Sequence, residues 1–247
     1  MVVLLVIAGF VAGLVDAIAG GGGIITLPAL LAAHLDPAVA LATNKGQAVF
    51  GSVSSVVEFG RKGQLDWKRA PWSFVFALLG AVLGARLVLR ANPAVLRPAV
   101  IALLVAASVL TLVRKPTVGT RLAVVASHAR ASASVVALGM GLYDGFFGPG
   151  TGTLLVLGYA YWFGDGLVKA SANAKVANSA SNLGAMVLFA ASGAIRWDIA
   201  LPMGVAQLLG AVLGTRLTIR AGAGIVRAAA IVVGLLLAAR VAWQAFH

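Results

Sequence analysis

The chain has 247 residues, of which 61% are hydrophobic and only 11% are charged, and its mean hydropathy is +1.00. Because soluble domains carry about 25% charged residues, this composition excludes an ordinary soluble domain and indicates a polytopic membrane protein. The formal net charge is +12. The basic residues fall mainly in short breaks between apolar runs, where they act as topology signals, so we predict no nucleic-acid partner.

Apolar runs of about membrane length recur along the chain. A helix that crosses a bilayer needs about 20 apolar residues, so the runs 21–33 and 152–163 are too short to cross alone. The first run, 2–19, has no basic region before it, which indicates a retained membrane segment rather than a signal peptide. We assign the runs to residues 2–19, 21–33, 38–59, 71–90, 94–113, 131–147, 152–163, 170–192, 199–220 and 224–243.

The sequence divides into a first repeat at 1–115, a linker at 116–130 and a second repeat at 131–247, which together form one transmembrane domain. The segment 80–87 recurs as 210–217 with seven of eight residues identical. Internal repeats in a membrane protein are typical of transporters, whose substrate site lies at the repeat interface. Rare residues also match, at an offset of 130 or 128: Lys45 with Lys175, Trp67 with Trp197, Gly63 with Gly193 and Asp16 with Asp144.

Charge counting favours inverted over parallel halves. If each half makes three full crossings, the breaks at 60–70 and 114–130 lie on the cytoplasmic side, and the count is 11 basic residues inside to 4 outside. An even number of crossings per half gives about 10 to 5, a weaker bias. We therefore predict inverted halves, with both termini outside the cytoplasm.

Glycines interrupt two of the apolar runs. A glycine costs about 1 kcal/mol in a helix interior relative to alanine, and non-helical backbone at membrane depth must face protein or a water-filled cavity. Each break should therefore start a short helix whose N-terminal N–H groups favour an anion. Close packing of two helices through small residues is the alternative. The predicted binding residues at the breaks are Gly20, Gly21, Gly22, Gly23, Gly148, Gly150 and Thr151.

Two lysines lie in polar stretches that follow the breaks. A lysine at the centre of a membrane helix costs about 3 kcal/mol and marks a functional site by default, although a lysine near a helix start can instead snorkel to the interface. The natural partners are Asp16 and Asp144, each about 30 residues upstream of a lysine. Such a pair is either structural or carries a coupling proton. The predicted binding side chains here are Asn44, Lys45, Gln47, Asn173, Lys175 and Asn178.

Several other features have structural interpretations. Glu58 is the only glutamate and lies beside Arg61 and Lys62, which predicts a local ion pair. Arg86 and Arg216 are expected to snorkel. Glycines spaced four apart predict helix-packing faces, at Gly9 and Gly13, Gly80 and Gly84, Gly141 and Gly145, and Gly210 and Gly214.

No constellation in the sequence points to an enzyme. Cysteine is absent, and the three histidines lie too far apart to form a metal-ligand spacing. The motifs of zinc proteases, serine esterases and P-loop ATPases are missing. We predict no cofactor, no metal and no enzymatic activity.

The first-half motifs resemble the TauE/SafE family of membrane transporters, the sulfite exporter group. The resemblance is carried by residues 16–23, 26–28, 42–45 and 63–67 and extends over both halves. It implies a two-module, multi-pass protein of the bacterial inner membrane that moves sulfite, thiosulfate, an organosulfonate or another small anion. The second half departs from the motif, because Gly148–Thr151 replaces the four glycines and Ala174 stands where the first half has Asn44.

The leading hypothesis is a secondary transporter of a small anion. The alternatives are a passive anion channel, an intramembrane enzyme and a scaffold subunit. A channel would need a continuous polar pore, and a scaffold would not need polar breaks in both halves. The predicted partners are the lipid bilayer and a small anionic substrate, and a homodimer is left open.

Overall fold

The computed structural model describes residues 2–92, 94–96, 98–99, 102, 129–226 and 228–229. These residues contain helices and no strand, which confirms the all-helical prediction. The helices are α1 (Val2–Ala19), α2 (Gly23–Ala32), α3 (Pro37–Arg61), α4 (Ala70–Arg90), α5 (Ala129–Phe146), α6 (Thr151–Phe163), α7 (Leu167–Ala191) and α8 (Trp197–Ala221).

Most of the predicted apolar runs correspond to helices. The runs 94–113 and 224–243 lie largely outside the described residues, as does the linker 116–130, although α5 already begins at Ala129. Helices α1, α4 and α8 are long and apolar enough to cross a membrane. Helices α2 and α6, with 10 and 13 residues, extend only about 15–20 Å and do not cross alone.

Helices α3 and α7 are long enough to cross but carry many buried polar side chains. Each has 25 residues, and at 1.5 Å per residue each extends about 37 Å. They contact each other, while α8 packs on α3 and α4 packs on α7. The two most polar helices therefore lie at the centre, and large apolar side chains of α4 and α8 such as Leu83 and Leu213 face outward, where they suit lipid.

The chain is interrupted at both glycine breaks. Helix α1 ends at Ala19, and Gly20 and Gly21 have φ values of +75° and +95° before α2 begins. Between α5 and α6, Gly148 and Gly150 have φ values of +92° and +84°. Glycine adopts this left-handed region without steric cost, so these residues let the chain reverse direction inside the bundle.

The spaced glycines pack against the backbone of neighbouring helices, as their spacing predicts. A Cβ on Gly13 of α1 would lie 2.2 Å from the carbonyl oxygen of Gln207 on α8, and a Cβ on Gly80 of α4 would lie 2.2 Å from that of Leu138 on α5. Real side chains do not approach so closely. Glycine at these positions therefore allows the close contact of α1 with α8 and of α4 with α5.

Candidate functional site

A small cavity lies where the two glycine breaks meet. The breaks touch through their backbones, since a Cβ on Gly20 would lie 2.1 Å from the carbonyl carbon of Gly152. The cavity measures about 20 Å³, which is room for one water molecule rather than for an oxyanion. It is lined by Asp16, Gly21, Gly22, Gly23, Asn44, Lys45, Ala48, Asp144, Gly148, Gly152, Asn178, Asn182 and Gln207.

Each buried lysine is paired with the aspartate of the other half of the sequence. Lys45 Nζ lies 2.8 Å from Asp144 Oδ1, and Lys175 Nζ lies 2.7 Å from Asp16 Oδ2. The expectation that each lysine pairs with the aspartate about 30 residues upstream is therefore wrong. Because α1 packs on α8 and α5 packs on α4, each aspartate is carried into the opposite half. Both lysines are buried, so neither snorkels to the interface.

Further hydrogen bonds hold the pair of Lys45 and Asp144. Lys45 Nζ donates to Asn182 Oδ1 at 3.0 Å. The hydroxyl of Ser181 and, at 3.5 Å, the amide of Asn178 donate to Asp144 Oδ2. A buried ion pair offsets its desolvation only when further hydrogen bonds satisfy the remaining lone pairs and protons, and these three hydrogen bonds act in that direction.

The pair of Lys175 and Asp16 is held differently. Asp16 Oδ1 accepts a hydrogen bond from the backbone N–H of Gly22 at 3.2 Å, so its carboxylate lies at the start of α2. No amide partner is found for Lys175 Nζ among the described residues. The Asp16 side chain is 11% exposed, whereas that of Asp144 is 2% exposed. The second pair is thus less saturated and more open to the cavity.

Asn44 presents a hydrogen-bond donor to the cavity. Its Oδ1 accepts from the Thr26 hydroxyl at 2.5 Å and from Gln47 Nε2 at 3.0 Å. These two donors fix the amide so that its oxygen is occupied. No acceptor for the Asn44 NH₂ group is found among the described residues, so this group is available to an anion.

Most of the predicted site residues line the cavity or contact a residue that does. The lining includes Gly21, Gly22, Gly23, Asn44, Lys45, Gly148 and Asn178, with Asp16 and Asp144. Four more lie one contact away: Gly20 on Gly152, Gln47 on Asn44, Lys175 on Asp16, and Thr151 through a 2.7 Å hydrogen bond to the Gly148 carbonyl. Gly150 is the N-cap of α6, whose residue Gly152 lines the cavity.

Sequence reasoning missed Asn182 and Gln207. Asn182 lies seven residues after Lys175, two turns along the same helix face, and this spacing could have identified it. Gln207 is the only amide side chain in the apolar run 199–220, which is a weaker signal. The remaining unpredicted lining residues, Ala48 and Gly152, carry no polar side chain.

Asn173 does not line the cavity. It binds the loops at one end of the bundle, where its Oδ1 accepts from the Asp66 N–H at 2.9 Å and its Nδ2 donates to Asp165 Oδ2 at 3.2 Å. The buried Arg69 guanidinium joins the same cluster, because its Nη2 donates to both oxygens of Asp165 and its Nε donates to Asp66. Asn173 therefore connects the start of α7 to the α3–α4 loop.

The pKa values of the two carboxylates in this loop cluster, Asp66 and Asp165, are shifted in opposite directions. Burial is the largest influence on both and favours the neutral form. At Asp66 the nearby Arg69 and the Lys68 N–H outweigh it and hold the pKa below its usual value. At Asp165 burial prevails over the attraction of Arg69 and raises the pKa. The cluster fastens two loops at one end of the bundle.

Glu58 pairs across the bundle instead of locally. Its Oε1 accepts from Arg216 Nε at 2.9 Å, so the expected pair with Arg61 or Lys62 is wrong. Arg216 keeps 56% of its side chain exposed while Glu58 is nearly buried. The contact joins the ends of α3 and α8.

Comparisons with known proteins identify the family of the chain. The family model described as "Sulfite exporter TauE/SafE" matches residues 5–241. The chain belongs to the TauE/SafE family. It is 38% identical to "Probable membrane transporter protein ORF9" of Sinorhizobium sp, over 100% of this chain and 94% of that protein. It is 34% identical to "Probable membrane transporter protein" of Haemophilus influenzae, over 99% and 95%.

A further TauE/SafE relative is "Probable membrane transporter protein YfcA" of Escherichia coli, which is 35% identical over 94% of this chain and 86% of its own length. No solved structure gives a significant match. The family and the apolar helices make the chain a membrane protein of a transporter family. None of the three relatives' names gives a substrate.

Proposed function

We propose that this TauE/SafE protein is a secondary transporter of a small anion, which binds in the cavity between the two glycine breaks. The proposal is carried by the convergence of two buried Lys–Asp pairs and two helix N-termini on one cavity. The two pairs together are neutral, while each N-terminus contributes about half an elementary positive charge. This balance attracts an anion and still permits its release.

Asp16 occupies the position that an anion would take at the start of α2. Its carboxylate accepts from the Gly22 N–H and neutralises Lys175. A substrate oxyanion entering the cavity competes with Asp16 for these donors. It also gains the NH₂ group of Asn44, for which no acceptor is found among the described residues. Asp16 then either stays as the partner of Lys175 or takes up a proton, which would couple transport to a proton gradient.

The proposed substrate is a small sulfur-containing anion, such as sulfite, thiosulfate or an organosulfonate, or another small organic anion. The description of the matching family model as a sulfite exporter supports this class. A cavity of about 20 Å³ is too small for any of these anions. In this proposal the described conformation is a closed one, and binding requires the helices around the breaks to separate.

We infer that the two halves are inverted repeats in a multi-pass protein of the bacterial inner membrane. Support comes from contacts that recur at the repeat offset of 130 or 128 residues. The ion pair of Lys45 with Asp144 matches that of Lys175 with Asp16. The contact of Gly141 with Ala77 matches that of Gly13 with Gln207. The hydrogen bond from the Asp66 N–H to Asn173 matches that from the Arg196 N–H to Thr43.

The loop contacts also support opposite orientations of the halves. Arg69 of the α3–α4 loop binds Asp165 of the α6–α7 loop, so these loops share one face. Arg196, before α8, binds Thr43 near the start of α3, which places the α7–α8 loop at the other face. Helix α3 then crosses in the direction opposite to α7.

Reporter fusions test this topology. A reporter active only outside the cytoplasm, fused after residue 247, is expected to be active, while the same reporter fused after Lys68 is expected to be inactive. The reason is the excess of basic residues in the 60–70 loop, which retains that loop in the cytoplasm. A second reporter, which works only in the cytoplasm, can be fused to the same C-terminus. Activity of that reporter would contradict the inverted arrangement.

Anion flux in proteoliposomes tests the function. We expect saturable uptake of at least one of sulfite, thiosulfate, sulfoacetate or a simple carboxylate, because a site that must open and close limits the rate. An uncoupler is expected to abolish accumulation if a proton drives transport. Protein-free liposomes are the control. Flux that rises linearly with concentration would instead indicate a passive channel, and no flux with any of these anions would reject the proposal.

A further inference from the structure

Four buried polar atoms along the α3–α8 interface have no hydrogen-bond partner in the part of the chain that the structure describes. They are Gln47 Oε1, Ser55 Oγ, Gln207 Oε1 and Thr215 Oγ1. Their side chains are at most 2% exposed. An unsatisfied buried polar group costs about 1–3 kcal/mol, so native proteins pair such groups with protein atoms or ordered water. A row of four needs a physical explanation.

The four atoms form a row because α3 and α8 run parallel. A Cβ on Gly51 would lie 2.6 Å from Gln207 Cγ, and further along Glu58 pairs with Arg216 at 2.9 Å. Ser55 lies between Gly51 and Glu58 on α3, and Thr215 lies between Gln207 and Arg216 on α8. On α3 the positions 44, 47, 51, 55 and 58 are three or four residues apart, and they therefore share one face.

The row lies between the central cavity and a cleft at one end of the bundle. Asn44 and Gln207 line the cavity, and Glu58 and Arg216 line the cleft. Glu58 lies fourteen positions after Asn44 on α3, which is about 21 Å along the helix axis. The cleft measures about 290 Å³ and also contains Lys62 and Arg220, so cations predominate at its mouth.

The positions of α4 and α7 that correspond to the four residues of the row are apolar. At the offset of 130 residues, each polar residue of the row has an alanine as its counterpart. These alanines are at most 1% exposed. The counterpart of Glu58 is Leu188. The pairs are Gln47 with Ala177, Ser55 with Ala185, Gln207 with Ala77 and Thr215 with Ala85.

We propose that the α3–α8 interface is a hydrated access path between the central cavity and the membrane face that carries Lys62, and that the α4–α7 interface is its dry counterpart. Water satisfies the four polar atoms while the path is closed to substrate. A small anion enters past the cationic cleft and follows uncharged polar groups to the cavity. The identity of the anion that moves along the path rests on the proposed function. Hydration of the path does not, because it does not require transport.

Thiol accessibility tests the path directly, because the protein has no cysteine of its own. Single variants Ser55→Cys and Thr215→Cys are compared with Ala185→Cys and Ala85→Cys at the matched positions. The reagent is the membrane-impermeant anion sulfonatoethyl methanethiosulfonate, applied to either side of sealed vesicles. Lys68→Cys, in the exposed α3–α4 loop, marks the side.

We expect Ser55→Cys and Thr215→Cys to react at least about tenfold faster than the two alanine-derived thiols, and from the Lys68 side, because a thiol in dry apolar surroundings ionises poorly. Equal, slow reaction at all four positions overturns the path, and so does faster reaction from the opposite side. One-sided labelling without flux of any anion rejects the transport proposal alone. Flux without labelling rejects the path alone.

A second variant guards against misfolding of the cysteine proteins. Thr215→Val keeps the shape and removes the hydroxyl. In a hydrated path, the melting temperature in detergent is expected to stay unchanged while the flux falls. In a dry interface, the loss of an unsatisfied hydroxyl raises the melting temperature and leaves the flux unchanged, which overturns the proposal.

Discussion

Replacing Lys45 with methionine is expected to abolish anion flux and to reduce the amount of folded protein in the membrane. The substitution leaves the Asp144 carboxylate buried without its cation. Breaking a buried ion pair in this way costs about 3–5 kcal/mol. The measurements are flux in proteoliposomes and the melting temperature of the purified protein in detergent.

The double variant Lys45→Met, Asp144→Asn separates folding from function. Asparagine keeps the hydrogen bonds from Ser181 and Asn178 but needs no cation, so folded yield is expected to recover. Flux is expected to stay low, because the variant lacks the Lys45 ammonium group that lines the cavity. Normal flux in the double variant would mean that the pair is structural only, and that binding rests on backbone and amide groups.

Replacing Gly20 with alanine is expected to be as damaging as the loss of Lys45. The φ of Gly20 is +75°, and its Cβ would lie 2.1 Å from the backbone of Gly152. The two breaks must then move apart, which disrupts the cavity and the placement of Asp16. We expect loss of flux together with a marked fall in melting temperature.

Gly63→Ala is the matched control for this variant. Gly63 also has a positive φ, at +66°, but nothing lies within 4 Å of its Cβ position. Alanine there bears only the cost of the left-handed backbone, about 1–2 kcal/mol. Similar melting temperatures and fluxes for the Gly20→Ala and Gly63→Ala proteins would show that the backbone contact between the breaks is not required.

Local physics explains why the sequence could predict the interrupted helices and the polar centre. Consecutive glycines disfavour a helix wherever they occur, so the break after Ala19 needs no knowledge of the fold. Likewise Lys45 and its neighbouring amides are too polar to face lipid, whatever the packing around them. These features depend on the intrinsic cost of a residue in a given medium.

Partner choice could not be predicted, because it depends on which helices meet. Asp16 lies closer in sequence to Lys45 than to Lys175, yet the packing of α1 on α8 brings it to Lys175. Glu58 has two cations beside it in sequence and pairs with Arg216 instead. Asn173 belongs to the same polar stretch as Lys175 but points to the loop cluster.

The crossed ion pairs set an order of events during synthesis. Lys45 and Asp144 are separated by 99 residues in the chain. At a translation rate of about 5–20 residues per second, Asp144 leaves the ribosome roughly 5–20 s after Lys45. Throughout that interval Lys45 lacks the carboxylate with which it pairs in the folded protein. We therefore expect α3 to reach its final position in the membrane only after the second half has been synthesised.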